Sequence, residues 1–329
     1  MPIALIRPIV SGVRDPLPEP VIAGVGSNPI PAPIRIRSIA ANALDCRSSL
    51  HRFESGRIRQ FSKDEAMQWL IENASVPESA LDQSSTQLLE VIKQKGLPWV
   101  GTGIIPFSHE ITGLTGADPD APSMFFGSTL TASILAKMDT FRPAVYWKDE
   151  WWDPRTWIGR RSDLLNSQIR TITAAELRDR WITEPTFCKS AAVKHMTGNV
   201  LEVDKKDRDD WTIEFSNLDG DSELLLSPPI RLQAEWRFFV VGGKVVTGSL
   251  YRKEGIKRRM LPVEPEVWAA ADRAVQKWMP HPTIVLDLAL TEYGDYEVVE
   301  FNAINCSGWY NSDISRVVDA LEAINGATV

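Results

Sequence analysis

The stretch EVVEFNAINCSGWY, residues 297–310, decides the fold. Its first half reads as a strand, in which residues i and i+2 share a face roughly 7 Å apart. Alternation puts Glu300 and Asn302 on one face with Val298, and Glu297, Val299 and Phe301 on the other. A carboxylate and an amide oxygen so placed can touch one hard cation. They can equally form the wet face of an antiparallel strand. Just upstream, TIVLDLAL (283–290) and the linker TEYGDY (291–296) predict a hairpin with a loose turn around Gly294. With the turn centred between Tyr293 and Gly294, Asp287 lies opposite Glu300; one residue further on, it lies opposite Asn302. Cross-strand partners have Cβ atoms about 5 Å apart, so facing carboxylates repel unless something positive lies between them. The all-oxygen set Asp287, Glu300 and Asn302 suits Mg²⁺ or Mn²⁺. The alternative is a salt bridge from a lysine or arginine elsewhere in the chain.

Working outward, EWRFFVV-GG-KVVTGSLY (235–251) predicts a second hairpin turning at Gly242-Gly243. Arg237 shares a face with Glu235, Phe239 and Val241. A guanidinium held on a strand suits bidentate phosphate contact, or an ordinary pair with Glu235 or a neighbouring strand. FCKSAAVKHMTG (187–198) places Lys189 at the end of a short strand, either as a buried base or as a solvated terminus, with Lys194 five residues on. Helices are expected over 62–74, 85–96, 264–279 and 312–324. In 264–279 the stripe is Val267, Ala270, Ala271, Ala274, Val275 and Trp278. The pieces WVGTGIIPF, SMFFGS and PAVYW read as short strands alternating with helical TLTASILAKM, a small α/β unit. Residues 13–37 are proline-rich and read as an extended arm, and residues 1 to about 40 are expected to be removable without unfolding the rest. Trp151, Trp152 and Trp157 form either an interface or the core of their own loop.

The 329 residues, 43% hydrophobic, suffice for two domains or for one with an extension. A net charge of −7 argues against generic nucleic-acid binding. Cys46, Cys188 and Cys306 are widely spaced, which indicates neither a disulfide framework nor zinc and points to a reducing compartment, the cytoplasm. No apolar run approaches the roughly 20 residues that span a bilayer. The opening MPIALIRPIV lacks a signal-peptide layout. Asn305-Cys306-Ser307 matches a glycosylation sequon and is read as a chance match. There is no P-loop, dinucleotide fingerprint or nucleophile elbow, and His51, His109, His195 and His281 show no metal spacing.

Two lysines, a strand arginine, then Asp and Glu-x-Asn on consecutive strands: this order resembles the ATP-grasp superfamily. More narrowly it is similar to the clade named for one arginine and two lysines, which includes a eukaryotic cell-division-cycle assembly factor. MFFGSTL, WWDPRTWIGRRSDLLNSQIRTITAAEL, FCKSAAVKHMTG, LLLSPPIRLQAEWRFFVVGGKVVTGSLYR and VLDLAL…EVVEFNAINCSGWY fall in family order over about residues 100–312. The resemblance implies an α+β ATP-grasp fold, two subdomains with antiparallel sheets gripping ATP, over 183–329. A pre-ATP-grasp-like α/β domain over 96–182 and an N-terminal extension with helices over 1–95 would precede it. It implies that Lys189 and Lys194 touch phosphates and that the backbone of Ser227, Pro228, Pro229 and Ile230 contacts adenine. Glu235 would lie near the ribose or the second lysine. Arg237 would meet the γ-phosphate and, with Lys194, serve catalysis. Asp287, Glu300 and Asn302 would hold Mg²⁺, and Ser307 and Gly308 would shape the acceptor side. The implied activity is ATP- and Mg-dependent ligation of a carboxylate to an amine through an acyl phosphate, on a peptide or protein. The alternative is an ATP-binding assembly factor for a protein partner. Neither reading involves nucleic acid or a membrane.

Overall fold

In the computed structural model, the described residues are 67–73, 83–105, 108–143, 145–165, 167–191, 198–204, 218–260 and 262–325. The expected arm at 13–37 and Lys194 lie outside them. The described residues belong to one unit, Ser55–Val329, and form three sheets.

The first sheet has the order β3-β2-β1-β4, built from β1 (Gln68–Glu72), β2 (Trp99–Ile104), β3 (Ile111–Thr112) and β4 (Ser123–Phe126). β1 runs parallel to both β2 and β4. The helix expected over 62–74 is therefore corrected: residues 68–72 are a strand, every residue buried. Trp69 and Ile71 pack on one side and Leu70 on the other. A strand covered on both faces is apolar throughout, and that run imitates helical spacing. β1 also ties the sheet to sequence before residue 96. Helix α1 (Gln83–Lys95) follows and stops at Gly96, whose φ of 67° is left-handed. Helix α2 (Thr129–Leu135) follows β4. The described residues 145–147 of PAVYW are not a strand: the Tyr146 N–H goes to the Asn305 side-chain oxygen at 3.0 Å instead of to a ladder.

The second sheet is antiparallel, in the order β5-β8-β6-β7, from β5 (Arg170–Thr173), β6 (Thr186–Ser190), β7 (Asn199–Leu201) and β8 (Glu223–Ser227). Between β4 and β5 comes the short helix α3 (Asp149–Trp152). Helix α4 (Ala174–Asp179) begins with a Thr173–Glu176 capping box and packs on the second sheet through Ala174 and Leu177. The sheet's edge strand β5 precedes residue 183 in sequence.

The third sheet has the order β11-β10-β9-β12-β13, from β9 (Leu232–Val241), β10 (Lys244–Lys253), β11 (Ile256–Met260), β12 (Ile284–Thr291) and β13 (Tyr296–Asn302). β9 and β10 turn at Gly242-Gly243, with φ of 56° and 77°, the left-handed pair that a tight hairpin requires. Helix α5 (Pro265–Lys277) buries Val267, Ala270, Ala271, Ala274 and Val275 against Trp236, Phe238, Val240, Leu286 and Leu288. Trp278 is only partly buried there. Trp152 and Trp157 are buried in the same core and Trp151 packs partly against it, so the tryptophan cluster pins its loop to the third sheet and is not a separate core of its own. On the opposite face Phe239, Val241 and Val285 meet Trp309 and helix α6 (Ile314–Asn325), together with Trp69 and Ile71 of the first sheet. Among the described residues no helix is long and apolar enough to cross a membrane.

Candidate active site

Further along that second face the side chains turn polar, and strand register decides which meet. β9 and β12 pair with Arg237 opposite Asp287, and β12 and β13 pair with Asp287 opposite Glu300 and Val285 opposite Asn302. Of the two registers open in the sequence, the first is present. The ladder then slips so that Leu288 faces Val298, leaving Val299 as a bulge. The bulge corrects one expectation: Val298 joins the α5-side core with Phe301, away from Glu300 and Asn302.

Asp287 is buried, and Arg237 grips it bidentately: Nε donates to Oδ1 at 2.8 Å and Nη2 to Oδ2 at 2.7 Å. The salt bridge left open in the sequence is thus made, by an arginine fifty positions away. Burial pushes the Asp287 carboxyl up to about 6, against the opposing pull of Arg237. Burial also works against the charge on Arg237, but Asp287 outweighs it and the guanidinium pKa moves up. Asn302 Nδ2 donates to Glu300 Oε1 at 2.8 Å and more distantly to Asp287 Oδ2 at 3.4 Å. The three oxygen-bearing groups therefore form one connected cluster.

Sequence reasoning missed the clamp on Arg237. Its guanidinium lies 5.0 Å from the Tyr310 ring and 5.9 Å from the Tyr251 ring, and the two rings stack at 4.9 Å. Tyr251 is the extra residue of a second bulge, between the pairs Leu250–Trp236 and Arg252–Glu235. Glu235 accepts from the Tyr251 hydroxyl at 2.8 Å and from Arg252 at 3.1 Å. Both partners belong to β10 of the same sheet. Arg237 Nη1 also reaches the Gly308 carbonyl at 3.4 Å. Signals for Tyr310 were available, since it ends the opening stretch beside Gly308.

Lys189 comes from the second sheet. It is half-buried on β6; burial pulls its pKa down, while Glu300 and Asp153 hold it up. Glu300 thus acts on the Lys189 charge without an ion pair between them. Residues 227–230 link β8 to β9: Ser227 is buried at the strand end, Pro228 and Pro229 are exposed, and Ile230 is half-buried. Lys189→Met is expected to raise the melting temperature of the ligand-free chain at neutral pH, because a penalised charge is removed. The sign follows from the lowered pKa: the folded state binds this proton less well than the unfolded chain, so wild-type stability from this group grows as pH rises toward the ordinary lysine range. Melts of both proteins across neutral and alkaline pH check this, and an unchanged difference would show that Lys189 is well solvated.

After β13 the chain forms the far wall of the site. Ser307 Oγ donates to Ala303 O at 2.8 Å. Trp309 is fully buried between Phe126 and Phe239, at 5.0 and 4.8 Å between ring centres, and donates to Ser84 O at 3.1 Å. Asn305 is fully buried: its Nδ2 donates to Phe125 O at 2.7 Å, and its backbone carbonyl accepts from Gly127 N at 2.9 Å. Residues 306–308, Ser84 and the ends of β1 and β4 line a cavity of about 400 Å³ that opens to solvent. Cys306 lines it, whereas Cys188 is buried in the second sheet, its thiol pushed up to about 12 by burial.

No functionally curated protein matches the chain in sequence. Among solved structures, N5-carboxyaminoimidazole synthetase from Staphylococcus aureus has a TM-score of 0.53 at 9% identity, covering 82% of this chain and 80% of that one. D-alanine–D-alanine ligase from Bacillus anthracis has a TM-score of 0.52 at 11% identity, covering 79% and 97%. A RimK domain ATP-grasp protein from Sphaerobacter thermophilus DSM 20745 has a TM-score of 0.47 at 15% identity, covering 77% and 96%. Likeness at such identities concerns the fold. Residues 106–321 match the ATP-grasp domain of family 3 in the clade named for one arginine and two lysines, and the chain belongs to that family.

Proposed function

We propose that the chain ligates a carboxylate to an amine at the expense of ATP. What supports this is the convergence of a clamped arginine, a half-buried lysine and three oxygen donors from two antiparallel sheets. Among the described residues no three His, Cys, Asp or Glu side chains cluster for a metal; here the third donor is an amide. An all-oxygen set of two carboxylates and an amide fits Mg²⁺. Asp287, Glu300 and Asn302 would hold that ion, and Mg²⁺–ATP when bound supplies the phosphoryl group. A carboxylate oxygen of the substrate takes the γ-phosphoryl and ADP leaves. The amine nitrogen then bonds to the acyl carbon, the carbon–oxygen bond to phosphate breaks, and the amine proton passes to solvent. Arg237 is aimed to neutralise the transferred phosphoryl, held in orientation by Tyr310 and Tyr251. Lys189 and Lys194 would contact phosphates, and the backbone of residues 227–230 the adenine.

Titration calorimetry with Mg²⁺–ATP tests the reading. Glu300→Gln keeps the shape and a partner for Asn302 but loses one anionic ligand. It should bind roughly tenfold more weakly, about 1.4 kcal/mol, while the ligand-free melting temperature moves little. Equal affinity would make Glu300 a purely structural partner of Asn302. Wild type given its two substrates should release ADP and phosphate together.

A further inference from the structure

The cavity beside Gly308 has a chemistry of its own. In the first sheet β1 pairs with β2 on one side and β4 on the other. Helix α1, between β1 and β2, packs on one face of the sheet with Trp69 and Ile71, and α2, after β4, packs on the other with Leu70 and Phe125. Ligands of parallel sheets sit outside the carboxyl ends of strands at such a divergence. The cavity lies there, against Glu72 at the end of β1 and residues 126–129 at the end of β4.

Among the described residues lining the cavity, Glu72 alone carries a formal charge, and it is only 5% exposed. Its carboxylate is held by neutral donors alone. Oε1 accepts from Ser128 Oγ at 3.1 Å and from Thr131 Oγ1 at 2.7 Å, and Oε2 accepts from the Ser128 N–H. Room for it is made by Gly127, where a Cβ would collide with the Glu72 carboxylate. A carboxylate accepts about four hydrogen bonds, so one position on Oε2 stays open. A buried anion satisfied by neutral dipoles favours a cation over a neutral or anionic guest. The other wall contributes small polar groups, Asn73, Ser84 and Ser307.

We propose that this cavity is an ammonium subsite, in which Glu72 receives the primary amine of a compact molecule or of a peptide end. The proposal deepens the ligase reading and rests on it, because an anionic pocket next to Arg237 assigns the amine side of the reaction.

The test uses the full chain and defined probes: glycinamide and its N-acetyl derivative, and a short glycine-alanine peptide with its amino terminus free or acetylated. Wild type should bind at least one free amine, and acetylation should weaken that binding at least tenfold. Glu72→Gln should do the same while leaving Mg²⁺–ATP affinity unchanged. A stronger response to glycinamide assigns a small-molecule amine, and a stronger response to the peptide assigns a chain end. If Glu72→Gln fails to fold, Thr129→Lys places a competing ammonium at the cavity wall and should abolish amine binding. Equal binding of free and acetylated probes would overturn the proposal. So would wild-type affinity in a folded Glu72→Gln, or no amine binding at tens of millimolar. Wild type that binds the amines but not Mg²⁺–ATP would support the subsite and overturn the ligase reading, so the two failures are distinguishable.

Discussion

Replacing Arg237 with methionine should destabilise the ligand-free chain by about 3–5 kcal/mol, since removing one partner strands a buried charge. Asp287 is 2% exposed, and its other polar contact is a long bond from Asn302. The loss should shrink at acid pH. The Asp287 carboxyl already has a raised pKa, pushed up to about 6 by burial, and losing the guanidinium raises it further. Through that window the folded state holds a proton that the unfolded chain releases, so stability rises as pH falls toward the ordinary carboxylate range. Urea melts at neutral pH and at pH about 5 measure the difference. Arg237→Lys should recover part of the stability but not the preference for ATP over AMP, because the planar fork is lost. If Arg237→Met melts like wild type at neutral pH, the buried pair does not form in solution.

Trp309→Ala should be as severe, about 3–5 kcal/mol, the usual cost of deleting a fully buried aromatic. Trp309 stacks on Phe126 of β4 and Phe239 of β9 and bonds to the start of α1, so one indole spans two sheets. Its loss also frees residues 306–308, which set the Gly308 carbonyl against Arg237. Trp309→Phe should cost less and keep nucleotide binding. Calorimetric melting of the three proteins, with Mg²⁺–ATP titration of those that fold, checks both statements. A mild Trp309→Ala phenotype would mean that the sheets hold together without it.

The hairpins were legible because alternation and diglycine turns are local signals. Arg237, Asp287, Glu300 and Asn302 could therefore be placed on strand faces from sequence. The Arg237–Asp287 pair could not be, because it depends on β9 lying beside β12, an adjacency between two hairpins that neither turn encodes. The Val299 bulge was invisible for a related reason: one unpaired residue reverses Val298 without any change in composition. β1 was misread as a helix, since burial on both faces erases the period-two pattern, and that error hid Glu72. Tyr251 escaped because its direction is set by a bulge.

Asn305 has a consequence for production of the protein. Its Nδ2 is the atom to which an N-linked sugar attaches, since Asn305-Cys306-Ser307 satisfies the acceptor pattern. In the folded chain that nitrogen is fully buried and committed to the Phe125 carbonyl. A glycan can be added there only before folding, and once attached it would hold β4 away from the 304–308 turn. Made through a eukaryotic secretory pathway, the chain would thus divide between a folded, unmodified fraction and a glycosylated fraction unable to close around Asn305.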